Sequence, residues 1–308
     1  MQTTKHLSLA VVALSACTLF AACKTIKSAH QGSTPAVFKV GHRGTRGLMP
    51  ENTIPAMYKG LDVGANTIEF DIHITKDKQV VVYHDASFTP SYTTMPDGKD
   101  IPSAERAKWT FYQMNYSDIR KFIIGEKPYP AFPEQQRMRS YAPLLSEMID
   151  SVEAYTRKNH LPPANYLLEI KSSEKTDGVE QPSPEEYIEK MMAVKQLKTL
   201  GNRLFVQSFD IRPLQVMHRK YPSIKLGFLT SDKKHTFEQH LEQLGFTPFF
   251  YNPAYEMVTA DLVKKCHDKK ITIVPWTVQT VEEMKRLRSM GVDGIISDYP
   301  NKFHEAGL

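Results

Sequence analysis

The sequence predicts an α/β fold of the TIM (β/α)8 barrel type, on three observations. From residue 37 onward, short β-branched and aromatic runs alternate with amphipathic helical patterns, and repeated βα units imply parallel strands covered by helices. The chain has 308 residues, which leaves space after an N-terminal extension for a domain near the roughly 250 residues a barrel takes. Charged residues also gather at the ends of otherwise apolar strands, where a barrel displays its chemistry. A doubly wound sheet shares the alternation, but a run of βα units this long fits the barrel better.

Composition agrees with one ordinary packed domain: 41% of residues are hydrophobic and 24% charged, close to the averages of globular proteins. The net charge of +5 arises from 39 basic and 34 acidic residues scattered along the chain, with only isolated pairs such as Lys233-Lys234 and Lys264-Lys265. That dispersion argues against nucleic acid as a partner.

Residues 1–23 read as a signal peptide of lipoprotein type. Lys5 and His6 precede the apolar run LSLAVVALSACTLFAA, which ends at Cys23-Lys24 and is shorter than the roughly 20 residues of a spanning helix. The stretch ending at Cys17 is more like the bacterial lipobox, whereas Cys23 stands where the polarity changes. Cys23 is the preferred lipidation site, because modification of Cys17 leaves the apolar TLFAA on the mature side; Cys17 is the alternative, and a plain cleaved signal the third reading. With Cys23 acylated, Cys266 is the only thiol left over, so no disulfide framework forms within one mature chain. Residues 24–36, KTIKSAHQGSTPA, form a polar tether. The expected location is the cell envelope, exported and lipid-anchored on a periplasmic or outer-membrane face.

Residues 37–308 carry the barrel. Candidate strands are 37–41, 67–74, 80–84, 165–171, 203–209, 224–230, 248–252, 271–277 and 294–298. Nine candidates for eight places leave one outside the ring. Helical patterns such as IPAMYKGLDVG, LLSEMIDSVEAYTRK, PEEYIEKMMAVKQLKTL and VEEMKRLRSMG separate most of them. The alternation breaks once, over about residues 86–141, where prolines and aromatic and basic residues suggest an insertion after the third strand, above the C-terminal face.

Four strand ends carry polar groups. Strand one stops at Gly41-His42-Arg43-Gly44; Glu69-Phe70-Asp71 puts two carboxylates on one face; VVVYHD delivers His84; and LLEIK places Glu169 and Lys171 together. Each alone has an ordinary explanation, a satisfied strand-end histidine or a solvated strand face. Together they are harder to dismiss. Three carboxylates at the end of an apolar barrel repel one another and lose solvation, which is costly without a cation. A hard divalent cation takes such oxygen ligands. Two histidines beside it can accept and donate protons near neutral pH, and Arg43 and Lys171 offer positive charge to an anionic substrate. This set of parts fits phosphoryl transfer between oxygens.

HRGTRGLMPENT, GANTIEFDIHITKDKQVVVYHD, LLEIK, WTV at 276–278 and DGIISDYP at 293–300, in that order, resemble the glycerophosphodiester phosphodiesterase family across nearly the whole mature domain. The resemblance implies a TIM-barrel hydrolase of lipid and glycerol metabolism. Such an enzyme uses one divalent cation, Mg or Ca, to cleave glycerophosphodiesters to glycerol 3-phosphate and an alcohol. It places the metal ligands on Glu69, Asp71 and Glu169, the acid and base on His42 and His84, and a phosphate-contacting arginine on Arg43. Lys171 matches a basic residue beside the metal. Trp276, at a strand end, is assigned to the substrate pocket. The nucleophile, water or the glycerol hydroxyl, and the division of labour between the histidines stay open. After the His-Asp pair the chain departs from the family with ASFTPSYTTMPDGKD, which leaves headgroup preference unassigned. Two alternatives stand beside this reading: a phosphodiesterase acting on lysophospholipids or phosphatidylinositol, and a surface lipoprotein that binds headgroups without turning them over.

In the opening loop, Gly41 and Gly44 are expected to let the backbone turn sharply, and Asn52 to cap a helix beginning near Thr53. Glu51 is left between a metal-site role and complementing that helix; His73 and Asp298 are expected to support the site rather than ligate.

Overall fold

The computed structural model describes residues 1–2 and 36–308. The greater part of the signal, the tether through residue 35, and both Cys17 and Cys23 lie outside the described residues. The chain divides into two units, Met1–His30 and Gln31–Leu308, and the second holds every described helix and strand. Among the described residues no helix is long and apolar enough to cross a membrane.

In chain order the elements are β1 (Phe38–Gly41), α1 (Ile54–Asp62), β2 (Thr67–Ile74), β3 (Val80–Val82), β4 (Thr93–Thr94), α2 (Tyr116–Ile119), β5 (Ile123–Ile124), α3 (Leu145–Lys158), β6 (Asn165–Ile170), α4 (Pro184–Met192), α5 (Lys195–Leu200), β7 (Leu204–Ser208), α6 (Ile211–Lys220), β8 (Lys225–Thr230), α7 (Phe237–Leu244), β9 (Phe250–Pro253), α8 (Ala260–Asp268), β10 (Thr272–Ile273), α9 (Val281–Ser289) and β11 (Gly294–Ser297). Most of the covering helices start at a side chain that accepts from an orphan amide: Thr53, Ser183, Asp210, Thr236, Thr259 and Thr280, which stabilises each first turn. Asn52 is therefore not the cap of α1; Thr53 is, one residue on.

Eight parallel strands run side by side in the order β10-β9-β8-β7-β6-β2-β1-β11. Backbone bonds close the ring between its end strands, from Asp293 to Ile273 and from Ile296 to Pro275, each 3.0 Å. The ninth candidate strand is β3. It pairs antiparallel with β2, Ile72 opposite Val82, and stands off the ring. It also ends at Val82, so His84 lies on the loop beyond it.

Alternation explains what fills the barrel. Every second residue of a barrel strand points inward, and the inward positions at the N-terminal end are apolar: Phe38, Val40, Leu167, Phe205, Phe250, Val274 and Ile296 pack as one cluster. Two residues further along the same strands come His42, Glu169, Gln207, Asn252, Trp276 and Asp298. The packed plug thus gives way, within one step of the period, to a polar layer at the C-terminal end.

The segment between β3 and α3 has its own core, in which Tyr83, Phe88, Phe111 and Phe122 pack together, with Phe88 and Phe122 stacked 4.1 Å apart. It leans on the loop after β1: Gln135 donates to Arg46 O (2.7 Å) and the Gln136 amide to Leu48 O (2.8 Å). That contact sets it against the C-terminal face.

At the opposite end Arg203 is buried. Its guanidinium bonds Glu153 through two nitrogens (2.7 and 2.9 Å) and Ala164 O (2.8 Å), and so joins α3 to the starts of β6 and β7. Removing one partner leaves a buried charge, so Glu153→Ala is expected to cost about 3–5 kcal/mol in urea unfolding. Glu153→Leu combined with Arg203→Met should recover most of that loss; equal instability of both variants would sink the explanation.

Candidate active site

The loop after β1 builds one wall of the site. Gly41 leaves no room for a side chain, since a Cβ there would stand 2.0 Å from Gly44 O. Gly44 adopts φ +84°, and a Cβ on it would meet the α1 backbone at 2.6 Å. Between them Arg43 holds φ +50°, a left-handed conformation that costs a non-glycine residue on the order of 1–3 kcal/mol unless its surroundings enforce it. They do: the Arg43 amide donates to Glu69 Oε2 (2.8 Å), its carbonyl accepts from Asn52 N (3.0 Å), and its guanidinium donates to Glu51 Oε1 (2.6 Å).

Glu51 stands outside the cluster formed by Glu69, Asp71 and Glu169. It is the counter-ion of Arg43, with a further bond from the Tyr92 hydroxyl (3.2 Å) of the insertion. Asn52 clasps Asp71 from both sides, donating to Oδ2 (2.8 Å) and accepting from the Asp71 amide (3.2 Å).

Ligand oxygens of Glu69, Asp71 and Glu169 lie within 4.8 Å of one another, all three side chains buried. Lys171 Nζ stands 3.0 Å from Asp71 Oδ1 and 2.5 Å from Glu169 Oε1, yet neither oxygen has a partner in good hydrogen-bond geometry. Burial pushes Glu69 well above the usual carboxylate range, helped by the charges of Asp71 and Glu169. It pushes Glu169 up as well, against the pull of Lys171. For Asp71 burial is overcome, by Lys171, His84, Arg43 and Asn52, and its carboxyl is held well below that range. One lysine therefore does not balance three carboxylates, and the pocket favours more positive charge. The donors are all hard oxygens with under-used lone pairs, a set that can hold a divalent cation.

Each histidine is backed by a carboxylate. His42 Nδ1 lies 2.6 Å from Asp298 Oδ1, and Asp298 also takes Arg46 through two nitrogens (3.0 and 2.9 Å) and the Gln279 amide. Burial opposes the charge of Asp298, but His42 and Arg46 hold it ionised, so Nδ1 carries the proton and Nε2 faces Glu69 at 3.9 Å. Burial lowers the His42 pKa to about 4, against the opposing pull of Asp298. His84 Nδ1 lies 2.6 Å from Asp85 Oδ1, which is anchored by Thr89 (2.7 Å) and Arg106 (2.6 Å) through its other oxygen.

One cavity of about 230 Å³ is lined by His42, Arg43, Glu69, His84, Glu169, Lys171 and Trp276, so the structure brings together the predicted catalytic, substrate and metal residues of the barrel, with Asp71 fully buried. Arg46 and Gln207, which the sequence reading passed over, line the same cavity together with Phe209. Inward alternation from Phe205 could have found Gln207. Phe209 packs edge-on to Trp276 at 5.3 Å, and Trp276 Nε1 donates to Asn252 O (2.8 Å). These rings form an apolar rim opposite the charged wall.

Residues 42–302 match the model of the glycerophosphoryl diester phosphodiesterase family. A glycerophosphodiester phosphodiesterase of Bacillus subtilis (strain 168) is 27% identical over 284 residues, covering 89% of this chain and 87% of its own. A solved protein of Silicibacter pomeroyi DSS-3, assigned as a glycerophosphoryl diester phosphodiesterase, is 28% identical with a TM-score of 0.77, covering 89% of this chain and 94% of that one. An Oleispira antarctica phosphodiesterase, solved with its product sn-glycerol-3-phosphate, shares the fold at 21% identity and a TM-score of 0.67, covering 87% and 95%.

His73 is buried behind the site with Nε2 3.0 Å from His84 O, and burial lowers its pKa from 6.5 to about 4. The unfolded chain therefore binds the extra proton first. This contribution to stability is complete above about pH 6.5 and is lost as pH falls from there toward 4. Between pH 7 and pH 5 the loss amounts to about 2 kcal/mol, at roughly 1.4 kcal/mol per pKa unit. Urea unfolding of His73→Gln should accordingly decline less steeply over that interval than the parent; parallel slopes would refute a neutral buried His73.

Proposed function

The chain belongs to the glycerophosphoryl diester phosphodiesterase family, and from that premise we propose that it hydrolyses glycerophosphodiesters to glycerol 3-phosphate and an alcohol, with one divalent cation, Mg or Ca, and two histidines. It is a phosphodiesterase by kinship; the cation and the histidine roles are our reading. The observation that carries it is the meeting in one cavity of three buried carboxylates, two carboxylate-backed histidines and a fork-shaped cation.

Glu69, Asp71 and Glu169 would hold the cation, which when bound polarises a phosphodiester and offsets charge developing on its oxygens. Arg43, fixed by Glu51, presents its guanidinium to the phosphate, and Lys171 adds charge from the other side. His42 is kept neutral by burial, so its free Nε2 is suited to take the nucleophile's proton. His84, the more exposed of the two, is left to protonate the departing alkoxide. Arg46 and Gln279 act through Asp298, which fixes the imidazole of His42. The product solved in the Oleispira antarctica relative supports glycerol 3-phosphate as one half of the cleaved ester. A second reading, in which an acyl chain accompanies the glycerol, is favoured by Phe209, 43% exposed beside Trp276, which continues an apolar surface outward from the cavity.

The direct test is release of glycerol 3-phosphate from glycerophosphocholine with Mg, with Ca and with chelator. We expect metal-dependent release that falls by several orders of magnitude in His42→Ala and Glu69→Ala. Asp298→Asn, which keeps the ring but not its orientation, should lower kcat on the order of 10²–10⁴. Release unaffected by chelator would remove the cation from the mechanism, and turnover of lysophosphatidylcholine alone would establish the second reading.

We further propose export and lipid anchoring through Cys23, with Cys17 the alternative, on the support of the signal pattern in residues 1–23. Metabolic labelling with palmitate should mark the wild-type chain and not Cys23→Ala. Label that survives Cys23→Ala and is lost in Cys17→Ala would move the anchor, and no label at all would leave a plain cleaved signal.

A further inference from the structure

A second group of metal-capable side chains collects where β8 passes into α7. Thr230 Oγ1 accepts from the Asp232 amide (3.0 Å), and Asp232 Oδ1 from the Lys234 amide (2.7 Å), so the loop folds over the Asp232 carboxylate. His235 Nδ1 lies 2.5 Å from Asp232 Oδ2, and His240 Nε2, from within α7, lies 3.7 Å from the same oxygen. Ligand atoms of the three residues fall within 4.8 Å of one another.

His240 makes this more than a surface ion pair. It is 2% exposed, and its Nε2 has no hydrogen-bond partner; 3.7 Å to Asp232 is too long for one. A buried ring nitrogen left unpaired is destabilising. The other nitrogen, Nδ1, is 2.8 Å from the Tyr251 hydroxyl. That contact can hold the Nδ1 proton and leave the Nε2 lone pair aimed at Asp232 and His235, the arrangement in which a ligating histidine is oriented by an outer partner. Burial lowers the His240 pKa and so favours the neutral, ligating ring.

We propose that Asp232, His235 and His240 form a second metal site, for an ion of the Zn class, distinct from the carboxylate cluster of the barrel. Bonds of about 2.0–2.2 Å in tetrahedral geometry set ligand atoms roughly 3.3 Å apart, near the present 3.7 Å between His240 and Asp232. The shorter His235–Asp232 pair must open by less than 1 Å, on the order of a side-chain adjustment, and His235 is exposed enough to make it. Binding breaks the hydrogen bond between His235 Nδ1 and Asp232; the neutral ring's single proton passes from Nδ1 to Nε2 through solvent, and the freed Nδ1 lone pair becomes a ligand. Water fills the fourth position. Two imidazoles and one carboxylate select zinc over Mg or Ca, the reverse of the all-oxygen cluster in the barrel. Phe209 and Leu229 line both the catalytic cavity and the cleft beside Asp232 and His240, so an ion here would pin the loop behind the apolar rim.

The test is Zn²⁺ titration by calorimetry of the purified chain, free of any polyhistidine tag and saturated with Mg²⁺, alongside the visible spectrum of the Co²⁺ form. One Zn²⁺ per chain and a four-coordinate Co²⁺ spectrum are expected. Affinity should fall by about tenfold or more in Tyr251→Phe, and further in His235→Ala and His240→Gln, and stay unchanged in Glu69→Gln. His235 is exposed, so its variant is readable even if the buried His240→Gln misfolds. Absence of Zn²⁺ uptake, uptake indifferent to His235→Ala, or uptake lost in Glu69→Gln would each overturn the proposal.

Discussion

The site is organised by one electrostatic problem: three carboxylates stand buried in the mouth of a barrel whose floor is a plug of phenylalanine, valine, leucine and isoleucine. Carboxylates removed from water in this way are held only by opposite charge or by hydrogen-bond donors. Asp71 receives both, from Lys171, Arg43 and Asn52, and stays ionised. Glu69 receives a backbone amide and a distant glutamine, and burial and repulsion drive it toward the protonated form. The imbalance is confined to the side of the cluster facing the cavity. A site that is short of positive charge where substrate arrives is prepared for a cation and an anion together, because each relieves the other's cost.

The same problem accounts for the loop after β1. Arg43 reaches Asp71 with its guanidinium while its amide reaches Glu69, and it makes both contacts from a left-handed conformation. The left-handed turn is maintained by Gly41, which lets the chain fold back against Gly44 O, by Gly44, which lets it pass close to α1, and by Glu51 and Asn52, which hold its side chain and carbonyl. Glu51 and Asn52 never touch the cavity, yet each positions a residue that does.

Much of this was legible in the sequence because a barrel strand has a period of two. His42, Glu169, Lys171 and Trp276 follow an inward apolar residue by an even number of steps, and Glu69 and Asp71 alternate with the outward Ile68, Phe70 and Ile72, so their inward position could be read without a structure. What escaped was set by contacts distant in the chain or by loop geometry. VVVYH reads as one more buried strand, because an antiparallel pairing with β2 leaves the same apolar signature as membership of the ring. Asn52 reads as a cap, and only the turn at Arg43 swings it onto Asp71. Glu51 looks like a dipole partner until the guanidinium is placed beside it. Asp232, His235 and His240 carry no strand or motif signal, being joined by a loop and one turn of helix.

The two histidines differ in how their supporting carboxylates reach them, and this ties the chemistry to the completion of the fold. His84 takes its partner from the next residue, Asp85, and needs only the local loop. His42 takes Asp298 from the far end of the chain, brought near because β1 pairs with β11, Gly41 opposite Ser297, and because the Ser297 carbonyl accepts from the His42 amide (2.9 Å). The first strand and the last must therefore be in register before His42 has a fixed ring and Asp298 has its arginine. Until the barrel closes, the imidazole of His42 lacks the carboxylate that orients it. Under the proposed mechanism the register of the closing strands is a catalytic constraint as well as a structural one, and a slip of one residue there would turn Asp298 out of the mouth while leaving the carboxylate cluster on β2 and β6 intact.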